Sequence, residues 1–345
     1  MYEVFYRLRE NPFRLTPDPA FICMTDQHQE ALSGLIYSVC TRRGLTVLVG
    51  EAGTGKTTLL YSLLSMLEKR QCVTAVCTNP TLTRAEFYDV LMMKFGVQCD
   101  STLKSRQLAA LEENIRRNRA QGRASVLVVD EAQRLSPELL EEVRLLLNME
   151  TATEKLLQII VAGQPELIEV LRQPQLRQLK QRISNICRLK PLTLEELQVY
   201  LHHRLAHAGL TGQNLFPEET IDSIFAYTRG IPRLINSLCD AALQTGFALQ
   251  SPVVTMAIIE EVAGDLDLTR ATEKEELQLK EHLANMSGDL LGANEPVKEQ
   301  QPVKNRAPQN GKNGTAALEV RIPMETYSRR QQSLGFFAGL MERWK

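Results

Sequence analysis

The sequence predicts an α/β protein in which a parallel sheet, covered on both faces by helices, is followed by a small all-helical domain and a largely disordered C-terminal tail. Three observations predict it. Short apolar runs alternate with amphipathic helical patterns as far as about residue 190. Beyond Thr193 the strand-like runs stop and only helical periodicity continues. Residues 295 to 315 are polar, punctuated by Pro and Gly, and without apolar periodicity.

The N-terminal stretch "MYEVFYRLRENPF" carries charge throughout and lacks the apolar stretch of a signal peptide. The first strand is "LTVLVG" (45 to 50), followed by a helix over 56 to 69, the strand "CVTAVCT" (72 to 78), and helices over 83 to 95 and 103 to 121. "SVLVVDE" (125 to 131) is the third strand and "LQIIVAG" (157 to 163) the fourth, with a helix over 136 to 149 between them. Ser136 followed by Pro137 reads as an N-cap and first-turn pair. A fifth run, "ISNICRL" (183 to 189), is weaker. Continuous β-branched runs separated by amphipathic helices require a sheet buried on both faces.

Helices follow over about 193 to 208, 217 to 228, 232 to 249 and 255 to 263, the first opened by a Thr193/Glu196 capping box. The expected organisation is an N-terminal segment (1–27), an α/β domain (28–190), a helical domain (191–268), a mostly disordered linker (269–328) and a short basic amphipathic segment (329–345). In that last segment Leu334, Phe337, Met341 and Trp344 form one helical stripe, with Arg329, Arg330, Arg343 and Lys345 around it. It suits a membrane surface or a partner groove. The alternative is a tail helix docked on the protein's own body, and Gly335 and Gly339 weaken the helix.

Composition excludes several classes. At 43% apolar and 23% charged over 345 residues the chain is globular, and its net charge of -1 means that nucleic acid or membrane must be met by a local patch. Seven scattered cysteines without a CxxC pair fit a reducing compartment. No apolar run approaches the roughly 20 residues of a membrane span, so the expected location is the cytoplasm, at most peripheral to the inner face of the membrane.

The chemistry-bearing residues begin at "GEAGTGKT" (50 to 57), which fits the phosphate-loop pattern in full and joins a strand to a helix. Gly50, Glu51, Ala52, Gly53, Thr54, Gly55, Lys56, Thr57 and Thr58 are the expected nucleotide-binding residues. Backbone amides and the helix N-terminus face the phosphates, Lys56 reaches the β- and γ-phosphates of ATP, and Thr57 holds Mg2+. "VLVVDE" ends the third strand with Asp130, placed to share the magnesium shell, and Glu131, placed to act as general base on water. The bland alternative is a capping Asp-Glu pair at a strand end.

Lys104, Arg106, Arg116, Arg117, Arg119 and Arg123 cluster along the helix 103 to 121 and its exit. Such a face can contact DNA phosphates, although Glu112 and Glu113 share it and a solvated face is the commoner reading. His203 and His207, four apart, lack a third ligand at a metalloenzyme spacing and read as surface or packing residues.

Together the stretches "FYRLRENPFRLTPDPAFICMT", "GEAGTGKTTLL", "VVDEAQRLSPELLEEVRLLLN", "IIVAGQPEL", "LRQLKQRI" and "TRGIPRLINSLCD" resemble the P-loop AAA+ ATPases. Within them the chain resembles the ExeA (general secretion pathway protein A) family, related to transposition ATPases of the TniB and TnsC type. The resemblance spans about residues 2 to 265 in family order.

It implies an extra strand between the phosphate-loop strand and the one carrying Asp130. It implies that "ENPFRLTPDPAF" packs near the adenine, that Gln164 contacts the γ-phosphate or orients water, and that Arg233 reports the γ-phosphate state to the helical lid. Arg182 matches the arginine finger offered to a neighbouring subunit, with Arg177 as the alternative finger. The implied partners are further copies of the chain in a ring or filament, and a protein of a secretion or cell-envelope machine. DNA, in a transposition regulator, and a membrane surface, through the C-terminal segment, are the alternatives, beside a slow ATP-dependent interaction switch. ExeA-type proteins commonly continue into a membrane span and a periplasmic cell-wall-binding domain, and neither is expected in this chain.

Overall fold

A computed structural model describes residues 1–271 except Pro17, Pro19, Ala20, Pro80 and Gln213. The expected basic segment 329–345, and the linker beyond residue 271, lie outside the described residues.

Five strands form one parallel sheet: β1 (Leu45–Gly50), β2 (Val73–Cys77), β3 (Ser125–Val129), β4 (Leu157–Gly163) and β5 (Ile183–Leu189). Their order is β2-β3-β4-β1-β5, so β4 lies between β3 and the phosphate-loop strand β1, as the resemblance implied. In β1, β3 and β4 every residue is buried, which is why these strands read as unbroken apolar runs rather than alternating ones. The weaker run is a full strand at the sheet edge, half-buried along most of its length, with a register shift against β1 between Leu45 and Thr46. An edge strand needs less apolar sequence because one side of it is open.

On one face, α4 (Arg84–Lys94), α5 (Lys104–Ala120) and α6 (Pro137–Leu146) enclose a core with Phe87, Leu111, Ile115 and Leu140 at or near zero exposure. Ser136 Oγ accepts from the Leu139 N–H at 3.3 Å, so the expected cap opens α6. Short helices α7 (Glu166–Arg172) and α8 (Arg177–Lys180) lead from β4 to β5.

The first strand is preceded by α2 (Asp26–Cys40), a helix that the sequence reading above does not contain, although its apolar residues recur at helical spacing. Ala31, Leu32, Leu35, Ile36 and Val39 are buried, and α2 packs against β1 and β5. Each fully buried aliphatic side chain contributes about 1.5 to 3 kcal/mol. Leu35→Asp is the change that would break this packing. The phosphate-loop helix α3 (Lys56–Lys69) lies next to α2.

The helical domain comprises α9 (Leu194–His207), α10 (Glu218–Thr228), α11 (Pro232–Ala248) and α12 (Met256–Asp265). The Thr193/Glu196 capping box is present at the start of α9. Its core takes in Tyr2, Tyr6, Leu8 and Phe13 from the N-terminal segment, whose first helix is α1 (Tyr2–Phe5). Tyr2 Oη and Asn11 Nδ2 both donate to Asp240 on α11, at 2.5 and 2.9 Å, and the Arg9 N–H donates to Ala208 O at 2.7 Å. The N-terminal segment is therefore fastened to the helical domain. Past α12, the Ala271 N–H still donates to Ala226 O at 3.0 Å. Among the described residues no helix is long and apolar enough to cross a membrane.

Candidate functional site

The carboxyl ends of β1, β3 and β4 open into a cavity of about 470 Å³, roofed by the helical domain and the N-terminal segment. Crevices at this end of parallel strands are the usual ligand sites of open α/β sheets. Arg14, Lys56, Arg204 and Arg233 line it, against two carboxylates, Asp18 and Glu131. Four cations facing two anions suit a polyanionic ligand.

The loop from β1 to α3 forms one wall, with Ala52 through Thr58 on the cavity surface. Gly53 has φ +83°, and a Cβ there would lie 2.7 Å from Arg233 Cβ, so only glycine allows the loop and α11 to approach this closely. The Lys56 ammonium is almost fully buried and donates to Gly50 O at 2.7 Å and Glu51 O at 2.9 Å. Gly50 and Glu51 thus stand behind the loop and contribute carbonyls to the lysine. Burial pushes the Lys56 amine below its ordinary pKa, while the nearby Glu131 and Asp130 oppose that shift.

Thr57 Oγ1, in the first turn of α3, donates to Asp130 Oδ2 at 3.0 Å. Asp130 follows the last residue of β3 and is anchored by its N–H to Cys77 O on β2 at 3.0 Å. Next to it Glu131 adopts a left-handed backbone, φ +53°, and faces the cavity. Gln164, one residue past β4, lines the same cavity. So does Arg233 near the start of α11, whose N–H donates to Gly53 O at 3.2 Å.

Two oxygens, from Thr57 and Asp130, suit magnesium, an ion that keeps several waters and takes one or two protein ligands beside phosphate oxygens. Among the described residues no group of three His, Cys, Asp or Glu converges as a self-sufficient metal site. His207 instead meets the Phe21 ring edge-on at 4.4 Å.

The candidate finger Arg182 lies outside the cavity. Its Nη1 donates to Asn148 Oδ1 at 2.6 Å and Arg144 O at 3.3 Å, beside the end of α6. Arg177 is exposed, also away from the cavity. On α5, Arg116 and Arg117 pair with Glu112 and Glu113 at i,i+4, and Arg119 pairs with Glu154 at 2.5 Å. Lys104 pairs with Glu142 at 2.6 Å, so four of the six cations singled out there are already compensated by carboxylates.

Four wall residues, His28, Tyr200, Arg204 and Asn236, and a fifth behind the wall were given no role in the sequence reading. His28 on α2 is buried beside the loop, with Nδ1 2.8 Å from Thr25 Oγ1, and desolvation pushes its imidazole below the ordinary histidine pKa. Arg204 on α9 donates to Pro12 O at 2.6 Å, Arg14 O at 3.4 Å and Tyr200 Oη at 3.1 Å. Its guanidinium also stacks over the Phe21 ring, 5.0 Å from the centroid. Tyr200 Oη donates in turn to Asn236 Oδ1 on α11 at 2.8 Å. Phe21, Tyr200, Arg204 and Asn236 line the same cavity as the phosphate loop. The run "HHRLAH" carries no signal that its arginine is internal. The fifth, Gln133, lies behind the wall and joins Glu131 to Gln164.

The family model of an AAA domain matches residues 40–171. The chain is 39% identical over 269 residues to General secretion pathway protein A of Aeromonas hydrophila, covering 78% of this chain and 48% of that protein. It thus spans about half the length of that curated relative. Among solved structures it is similar to Drosophila ORC bound to DNA, with TM-score 0.57 and 15% identity over 78% of this chain and 66% of the other. It is likewise similar to Cdc6p from Pyrobaculum aerophilum, with TM-score 0.56 and 16% identity over 76% and 70% of the two chains. At those identities the two structures bear on the fold alone.

Proposed function

Because this chain belongs to the AAA+ ATPases, we propose that the cavity binds ATP with magnesium and that Glu131 promotes hydrolysis of the terminal phosphate bond. The observation that carries this reading is the meeting of Thr57 and Asp130 at 3.0 Å, beside Lys56 and Glu131 on one cavity wall. Thr57 and Asp130 would hold the magnesium, which when bound neutralises charge on the phosphate oxygens. Lys56 binds the terminal phosphates, and the loop amides and the N-terminus of α3 bind the rest. Glu131 accepts a proton from the attacking water as its oxygen bonds to the γ-phosphorus, and ADP leaves with the bridging oxygen. Gln164 orients that water, and Arg233 couples the γ-phosphate to the helical domain.

The test compares MgATP turnover and equilibrium binding of a fluorescent ATP analogue in the unaltered chain, Lys56→Ala and Glu131→Gln. Lys56→Ala should lose binding, and Glu131→Gln should bind without turning over. No turnover in the unaltered chain at any protein concentration would sink the reading.

The similarity to General secretion pathway protein A supports a further step, in which ATP-dependent self-association drives a partner of a secretion or envelope machine at the cytoplasmic face of the membrane. Arg182, with Arg177 as the alternative, completes the site of a neighbouring copy. Turnover per subunit should then rise with protein concentration. The pairing of α5 cations with carboxylates disfavours duplex DNA as the main partner. A rise in turnover on adding duplex DNA at low salt would reverse that preference.

A further inference from the structure

Gln133 lies two residues beyond Glu131, in the short 3-10 turn Ala132–Arg134 that joins β3 to α6. Its Nε2 donates to Glu131 Oε2 at 2.7 Å, and its Oε1 accepts the Gln164 N–H at 3.1 Å. One neighbour is a carboxylate, which only accepts, and the other a backbone N–H, which only donates. The orientation of the amide is therefore determined by its partners.

The arrangement has a spatial requirement on the other strand. Gly163, the last residue of β4, faces this amide, and a Cβ there would lie 2.6 Å from Gln133 Oε1 and 3.2 Å from Gln133 N. Glu131 meanwhile has a left-handed backbone outside any strand or helix, so regular secondary structure does not set the aim of its carboxylate. Gln133 does not line the cavity and so can act on the reaction only through its neighbours.

Resting on the ATP-hydrolysis reading, we propose that Gln133 is a positioning residue: its side-chain amide aims the Glu131 carboxylate and ties that aim to the tip of β4 at Gln164. An amide is required because it offers a donor at one end and an acceptor at the other. A glutamate of the same shape keeps the acceptor and loses the donor, and a leucine loses both. Any displacement of the β4 tip is transmitted through this amide to Glu131, so Glu131 and Gln164 move together.

The experiment measures kcat, KM, equilibrium binding of a fluorescent ATP analogue and melting temperature for the full chain and for Gln133→Glu, Gln133→Leu and Gly163→Ala. Both Gln133 variants should lose kcat by about tenfold or more, a loss within the range of general-base contributions. Their affinity for the analogue should stay within about threefold of the unaltered chain, since the phosphate-binding groups are untouched. Gly163→Ala should lose kcat in the same direction, because it displaces the amide. If Gln133→Glu keeps the kcat of the unaltered chain, or if either variant is faster, the proposal is overturned while the hydrolysis reading stands. A loss of affinity matching the loss of kcat overturns it too, because that is the signature of a structural role. An unaltered chain that turns over no ATP overturns the hydrolysis reading and this proposal with it.

Discussion

The backbone N–H of Arg233, near the start of α11, donates to the carbonyl of Gly53, at the tip of the phosphate loop, across 3.2 Å. This bond joins the helical domain to the loop that would hold the phosphates. Their Cβ positions, real at Arg233 and ideal at Gly53, would be 2.7 Å apart, so the closed arrangement depends on the missing side chain. Loop shape and lid position are one contact here, and a change on either side acts on both.

Gly53→Ala therefore tests the contact directly. Its φ of +83° strains any L side chain, at about 1 kcal/mol or more, and the added methyl pushes α11 away. The expected result is a loss of ATP affinity of about tenfold or more, since 1.4 kcal/mol is already a factor of ten. Titration of a fluorescent analogue measures it, and unchanged affinity would show that the loop and α11 need not meet.

Arg204 clamps the N-terminal segment onto α9 through the carbonyls of Pro12 and Arg14. Arg204→Met keeps the bulk and removes every donor, leaving those acceptors and the Tyr200 hydroxyl short of a partner. The expected cost is about 1 to 3 kcal/mol. Urea denaturation should show it, with faster proteolysis within residues 1–16, and a denaturation midpoint equal to that of the unaltered chain would contradict the clamp.

His28 makes stability depend on pH. Burial holds its folded pKa below the ordinary value of 6.5, so in the window beneath 6.5 the unfolded chain binds a proton that the folded chain refuses. Its contribution is fully present above 6.5 and is lost as pH falls towards the folded pKa. Thermal melts from about pH 7.5 to about pH 5.5 should decline less steeply for His28→Gln than for the unaltered chain. Equal slopes would mean that other groups carry the dependence.

Arg182, bound to Asn148 and to the Arg144 carbonyl, lies outside its own cavity, as a group serving a neighbouring copy would. A trans-acting guanidinium is worth about 10³ to 10⁵ in rate. Mixing Glu131→Gln with Arg182→Ala should restore turnover that neither has alone. Failure to recover at any mixing ratio would count against Arg182, and the same mixture with Arg177→Ala would then test the alternative.

What the sequence determined by itself are features whose parts are contiguous. "GEAGTGKT" carries its strand end, its loop glycines and its helix start in eight residues, so its geometry is local. The same holds for Asp130 and Glu131 at the end of an apolar strand, and for the caps at Ser136 and Thr193, where the capping oxygen and the N–H that donates to it lie three residues apart. Helix α2, which the sequence reading missed, carries a local signal of the same kind in Ala31, Leu32, Leu35, Ile36 and Val39, which keep a helical spacing.

What only the tertiary structure decided are features whose parts meet from distant stretches. Arg204 reads as a surface arginine on a helix until the N-terminal segment folds over it and supplies two carbonyls from more than 180 residues away. Gln133 reads as a turn residue until β4 comes to lie between β3 and β1, which brings the Gln164 amide within 3.1 Å. The physical reason is range: turns, caps and periodicity act over a few residues. Partners for buried donors and acceptors are set by the crossing of elements, which no local pattern records.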